Sequence, residues 1–137
     1  MRNGVVLFII CSVFLVSSSP ASAQDHAGIM VDYGTVSRNV VDLKPVGEST
    51  SFPSNVGRLY CFTAIKGAVD PTEIIHIWYH GDQEVARVPL AVKSSLWRTY
   101  SSKGIRPTDT GPWKVLITDA QRNKLEILHF LVFEGQG

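Results

Sequence analysis

Residues Ile74 to Val92 read IIHIWYHGDQEVARVPLAV. Side chains of an extended strand point alternately to opposite faces, so a period of two marks a strand with one face turned to a core. Glu73 to His80 is rich in β-branched and aromatic residues, which suit a pleated, half-buried surface. Glu84 to Val92 places Ala86, Val88, Leu90 and Val92 on one face. Gly81-Asp82-Gln83 between the two segments supplies turn residues, so the stretch predicts an antiparallel hairpin. Pro89 has no N–H to give a ladder, which puts the second strand at a sheet edge.

The flanking sequence carries the same signals. Leu59 to Ile65 is an apolar and aromatic run closed by Lys66-Gly67, and Val69 to Thr72 with Asp70-Pro71 is a turn. Trp97 to Ser101 is a short strand, and Gly104 to Gly111 is a loop. Trp113 to Thr118 and Lys124 to Phe133 form a second hairpin over Asp119 to Asn123. The last of these strands is apolar on both faces and so is expected to run centrally. Upstream, Val31 to Val41 predicts an irregular first strand, and Pro45 to Asn55 reads as a loop. About seven short strands with frequent turns predict an all-β protein, an antiparallel β-sandwich. We place this domain at residues 34–134, after a flexible segment at 24–33.

The first 23 residues are read as a signal peptide rather than as fold. Arg2 is followed by an apolar run from Val5 to Val16, then Pro20 and Ala21-Ser22-Ala23. A positive start, an apolar centre and a small-x-small end are the parts of a secretory leader, with cleavage expected after Ala23. The run is well short of the about 20 apolar residues that a membrane-spanning helix requires. The product is therefore expected in the periplasm or outside the cell, with no membrane span after cleavage.

Removing 23 of the 137 residues leaves 114, one domain by length. The full chain carries 13 basic and 12 acidic residues, and loss of Arg2 balances them. A neutral domain exerts no broad pull on nucleic acid or anionic lipid, so no nucleic-acid partner is expected. Cys61 is the single thiol after Ala23, so packing alone must hold the fold. Its neighbours Leu59, Tyr60 and Phe62 predict a buried cysteine, a common fate for a free thiol.

Several runs together resemble one family. VGRLYCFTAIKG, HIWYHGDQEVARVPLAV, LWRTYSSKGI and TGPWKVLITDAQRNKLEILHF look like the bacterial family known as domain of unknown function 2914. The most specific pieces are His76-x-Trp78-Tyr79, Trp97 to Lys103, and Thr110-Gly111-x-Trp113, and the resemblance spans Val36 to Phe133. It implies an exported or membrane-attached bacterial protein with an immunoglobulin-like sandwich. It implies no activity, and fold alone does not supply one.

His76, Trp78 and His80 alternate with Ile75, Ile77 and Tyr79. With the isoleucines inward, the His-Trp-His row would face out. Metal binding is disfavoured, because strand residues four apart lie about 13 Å from each other, and Zn–N bonds are about 2.0–2.1 Å. Neither metal nor cofactor is expected. A recognition face fits better, since aromatic rings stack on a ligand while polar neighbours orient it. Arg98 and Tyr100 share one face of the next strand, and Lys103 follows. His76, Trp78, Arg98, Tyr100 and Lys103 are therefore the candidate binding residues. Trp113 is expected to plug the core, and His129 to be a satisfied interior or half-buried histidine.

Enzyme signatures are missing: no G-x-S-x-G, H-E-x-x-H, phosphate-binding glycine loop or Cys-x-x-Cys occurs. The carboxylates fall near turns and strand ends, where turn chemistry accounts for them. The expectation is a non-enzymatic binding module recognising a cell-envelope glycan or protein. The alternative is an envelope hydrolase with a carboxylate site.

Overall fold

A computed structural model describes Gly4 and residues 28–136. The expected signal peptide, Gly4 apart, and the first part of the segment at 24–33 lie outside the described residues. The strands are β1 (Met30–Val41), β2 (Lys44–Glu48), β3 (Ser51–Pro53), β4 (Arg58–Lys66), β5 (Thr72–His80), β6 (Gln83–Val92), β7 (Leu96–Gly104), β8 (Gly111–Asp119) and β9 (Lys124–Phe133). A single 3₁₀ turn, Ser54–Val56, separates β3 from β4. The strands form two sheets, β2-β1-β4-β7 and β3-β9-β8-β5-β6. This is the expected β-sandwich, with nine strands among the described residues instead of about seven.

The extra strands come from the stretch read as a loop. β2 pairs with β1, and β3 pairs with β9 in parallel, in an otherwise antiparallel fold. Neither carries an alternating apolar pattern; backbone pairing with a neighbour supplies what composition did not announce. β3 nevertheless delivers the fully buried Phe52 to the core. The first strand also starts earlier than expected, at Met30, because Met30 and Val31 pair with Lys66 and Ile65. β7 is longer at both ends than Trp97 to Ser101, since its whole length pairs with β4.

The central hairpin forms as read. β5 and β6 are antiparallel over a two-residue turn, and Gly81 takes the positive φ of 59° that such a turn demands. β6, with Pro89, is an outer strand of the five-stranded sheet. β9 lies between β3 and β8, an inner position that matches its apolar character.

The core fills the space between the sheets. Leu59, Cys61 and Ile65 of β4 face Ile74 and Trp78 of β5 and Val115 and Ile117 of β8. Cys61 is fully buried, and burial pushes its thiol far above the ordinary range. Aromatic rings close one region of the core. Phe130 meets Trp78 edge to face at 6.2 Å and Phe52 at 6.1 Å, and it stacks on Trp113 at 5.8 Å. Each such pair contributes about 0.5–1.5 kcal/mol beyond area burial. Trp113 is buried, as its sequence position implied.

Candidate functional site

β5 alternates as expected, but its faces are exchanged. His76 and Trp78 point between the sheets and are fully buried, while Ile75 and Ile77 lie on the outer face. Ile77 is covered there by its strand neighbours, being paired with Arg87 and Leu116. The reason is a set of hydroxyls on the opposite sheet. His76 Nδ1 lies 2.6 Å from Ser101 Oγ, and its Nε2 lies 3.2 Å from Thr63 Oγ1. Trp78 Nε1 donates to Ser101 Oγ at 3.0 Å. Buried polar groups are tolerated when partnered.

One proton arrangement satisfies every member of this cluster. Trp78 donates to Ser101, and the Ser101 hydroxyl donates to His76 Nδ1. His76 Nε2–H then donates to Thr63, whose hydroxyl donates to the Thr99 carbonyl at 3.5 Å. Neutral imidazole supplies the one donor and one acceptor that the chain requires. Burial accordingly lowers the His76 pKa to about 3. His76 and Trp78 therefore tie the sheets together and do not contribute to a recognition face.

Arg98 and Tyr100 do face outward, on the four-stranded sheet. Tyr100 is 42% exposed, and its ring lies 6.0 Å from that of Tyr60 at a tilt of 57°. Phe62 points the same way as Tyr60 yet is only 1% exposed. Tyr33 flanks it at 6.5 Å, and the Arg98 guanidinium lies 5.9 Å from its ring centre. Arg98 Nη1 also donates to the Leu43 carbonyl at 3.2 Å, binding the β1–β2 turn to the strip. Arg58 Nη1 donates to Ser102 Oγ at 2.8 Å at the far end. Tyr33 donates to the Glu48 carboxylate, and that hydrogen bond raises the tyrosine pKa.

A groove of about 540 Å³ adjoins this strip, walled by Leu43, Leu96, Trp97 and Arg98. The turn that forms one wall is strained. Asp42 and Leu43 take φ of 52° and 55°, a left-handed conformation that L residues with a Cβ adopt at a cost.

Lys103 belongs to a different place. It lines a cleft of about 470 Å³ at one end of the sandwich with His80, Gln83, Arg106, Asp109 and Trp113. Asp109 accepts from the Arg106 backbone at 2.8 Å and from its guanidinium at 2.9 Å. The Arg106 hydrogen bond holds its carboxyl below the usual carboxylate range. His80 stacks on Trp113 at 4.6 Å and 15°, and its Nε2–H donates to the Thr110 carbonyl at 2.7 Å. Trp113 Nε1 donates to the Asp109 carbonyl at 2.8 Å.

The five expected site residues thus divide three ways: core (His76, Trp78), outer strip (Arg98, Tyr100) and end cleft (Lys103). Tyr60 and Phe62 were not anticipated. Their signal was the alternation of Arg58, Tyr60, Phe62 and Ala64 against Leu59, Cys61, Thr63 and Ile65. His80, Gln83, Arg106 and Asp109 meet only through tertiary folding. His129, expected to be interior or half-buried, is exposed opposite Lys114 on the outer face of β9.

No curated protein matches the chain. Residues 71–132 match the model of a family described as protein of unknown function (DUF2914). The match begins near the start of β5, so it is narrower than the resemblance read from Val36, and it contains all five expected site residues. Over this segment, the chain is similar to the DUF2914 family.

Proposed function

We propose that this protein is an exported binding module of the bacterial cell envelope. It recognises a saccharide chain through the outer face of its four-stranded sheet. The reading rests on the Tyr60–Tyr100 pair, two tilted rings 6.0 Å apart on a solvent-facing sheet surface. Aromatic rings present an apolar body at low entropic cost and suit the flat faces of sugar rings. Arg58 and Arg98 flank the pair, and each is held by a hydrogen bond, to Ser102 and to the Leu43 carbonyl. Pre-oriented polar groups around an aromatic platform fix a ligand's register. Export rests on the apolar run at 5–16 and on Ala21-Ser22-Ala23.

The hydrolase alternative has less support. Among the described residues lining the end cleft, Asp109 is the one carboxylate, and Arg106 occupies both its oxygens. A general base needs a free lone pair within reach of the proton it removes.

The test is retention on immobilised cell-wall saccharides and on a glycan array. Wild-type protein is expected to be retained. Tyr100→Ala and Arg98→Ala are each expected to weaken retention about tenfold, which corresponds to about 1.4 kcal/mol. Equal retention of both variants, with unchanged folding, would sink the proposal.

A further inference from the structure

We infer that the end cleft is a second, separate site that takes an oxyanion carried on a small ring-bearing molecule, such as an acidic sugar. Its volume of about 470 Å³ falls within the range of about 300–1,000 Å³ typical of small-molecule sites. Gly57 and Gly104 contribute bare backbone to its lining. The His80–Trp113 stack supplies an aromatic wall.

The polar groups around that wall favour negative charge. Lys103 Nζ donates only to the neighbouring Gly104 carbonyl among the described residues. Arg106 uses Nε and Nη2 for Asp109, while Nη1 makes no hydrogen bond among the described residues and the side chain is 80% exposed. The Asp109 carboxylate is engaged by Arg106 and compensated by it, so it does not cancel Lys103. Gln83 adds an amide that forms no side-chain hydrogen bond among the described residues. Lys103 thus carries the positive charge of the lining that no described residue compensates, and Arg106, anchored by the buried Asp109, offers its Nη1 N–H as a directional donor to a carboxylate or phosphate. Anchoring Arg106 in advance lowers the ordering cost that a ligand would otherwise meet. The tyrosine strip contributes none of these residues, so either site stands or falls alone.

The experiment is an amide-resolved NMR titration of the protein with sodium glucuronate, inorganic phosphate and glucose at constant ionic strength. Glucuronate or phosphate is expected to give saturable shifts confined to Gln83, Gly104 to Asp109 and the Trp113 indole, and glucose none. Tighter binding of glucuronate assigns the site to acidic sugars, and equal binding assigns it to the free anion. Lys103→Gln and Gln83→Ala are each expected to weaken binding by about fivefold or more, as loss of a charge-assisted or oriented hydrogen bond implies. An absence of saturable shifts with both anions would overturn the site, as would wild-type affinity in both variants.

Discussion

The hydroxyl of Ser101 lies 2.6 Å from Nδ1 of His76, across the interior from one sheet to the other. The same oxygen takes the Trp78 indole N–H. One small side chain on β7 thus completes two polar groups that β5 brings into an otherwise apolar core. Ser101→Ala leaves both unpaired. An unsatisfied buried polar group costs about 1–3 kcal/mol, so the expected loss is about 2–4 kcal/mol in urea unfolding, with no change in far-UV circular dichroism. A loss below about 0.5 kcal/mol would mean the chain of hydroxyls carries little.

Acid should destabilise the fold for the same reason. His76 binds its proton at about pH 3 when folded, and near 6.5 when unfolded. The unfolded state therefore takes up more protons below pH 6.5, and stability falls as pH drops toward 3. Stability at pH 4.5 is expected to be about 2–3 kcal/mol lower than at pH 7.5. Asp109 acts in the same direction further down. Its folded pKa is depressed by Arg106, so its contribution is present above the usual carboxylate range and fades as pH falls through the lowered value. Urea midpoints measured from pH 7.5 to 4 check this, and a flat profile would contradict the assigned burial of His76.

Leu43 offers a test in the opposite direction. It sits at φ 55° in the two-residue turn between β1 and β2. Asp-Gly is preferred where both turn residues need positive φ. Leu43→Gly should stabilise the domain by about 1 kcal/mol through relief of that strain. It should also strip one wall from the groove beside Arg98. A gain in thermal midpoint with weaker saccharide retention is the expected pair of results.

Cys61 should be silent toward thiol reagents. It is fully buried, and desolvation disfavours the thiolate that reacts. In a Cys11→Ser variant, where Cys61 is the sole thiol, labelling by a disulfide reagent should be slower in buffer than in 6 M urea by about a thousandfold or more. That ratio follows from the small open population of a stable domain. Rapid native labelling would place Cys61 at the surface.

The β5–β6 hairpin was readable because two independent signals agree: alternation on both strands, and Gly81-Asp82 between them. Pro89 told the edge position for a local covalent reason, its missing N–H. The direction in which β5 faces was not readable. Ile75 and Ile77 look like core residues and His76 does not, yet the hydroxyls that admit His76 stand 13 and 25 residues away at Thr63 and Ser101. Such complementarity depends on register between sheets, which no local pattern encodes. β3 escaped notice because three residues show no period, and β9 alone recruits it. Half of the outer strip was legible, since Arg98 and Tyr100 alternate with Trp97 and Thr99. Tyr60 and Phe62 lay hidden in a run that reads as apolar on both sides. The end cleft draws on the β5–β6 turn, the end of β7 and the loop before β8, and only the folded chain assembles those.

The parallel pairing of β3 with β9 has a consequence for biosynthesis. Ser51, Phe52 and Pro53 find their partners at Leu131, Val132 and Phe133, and Ser54 Oγ accepts the N–H of Gly135. A chain emerging from the ribosome must therefore hold its Phe52 segment unpaired across some eighty residues of synthesis before the five-stranded sheet can close. Distant pairings of this kind slow maturation and prolong the life of incomplete forms. For a chain exported as proposed, a five-stranded sheet that cannot close before β9 is made would delay completion of the fold while the chain is being threaded through a translocation channel.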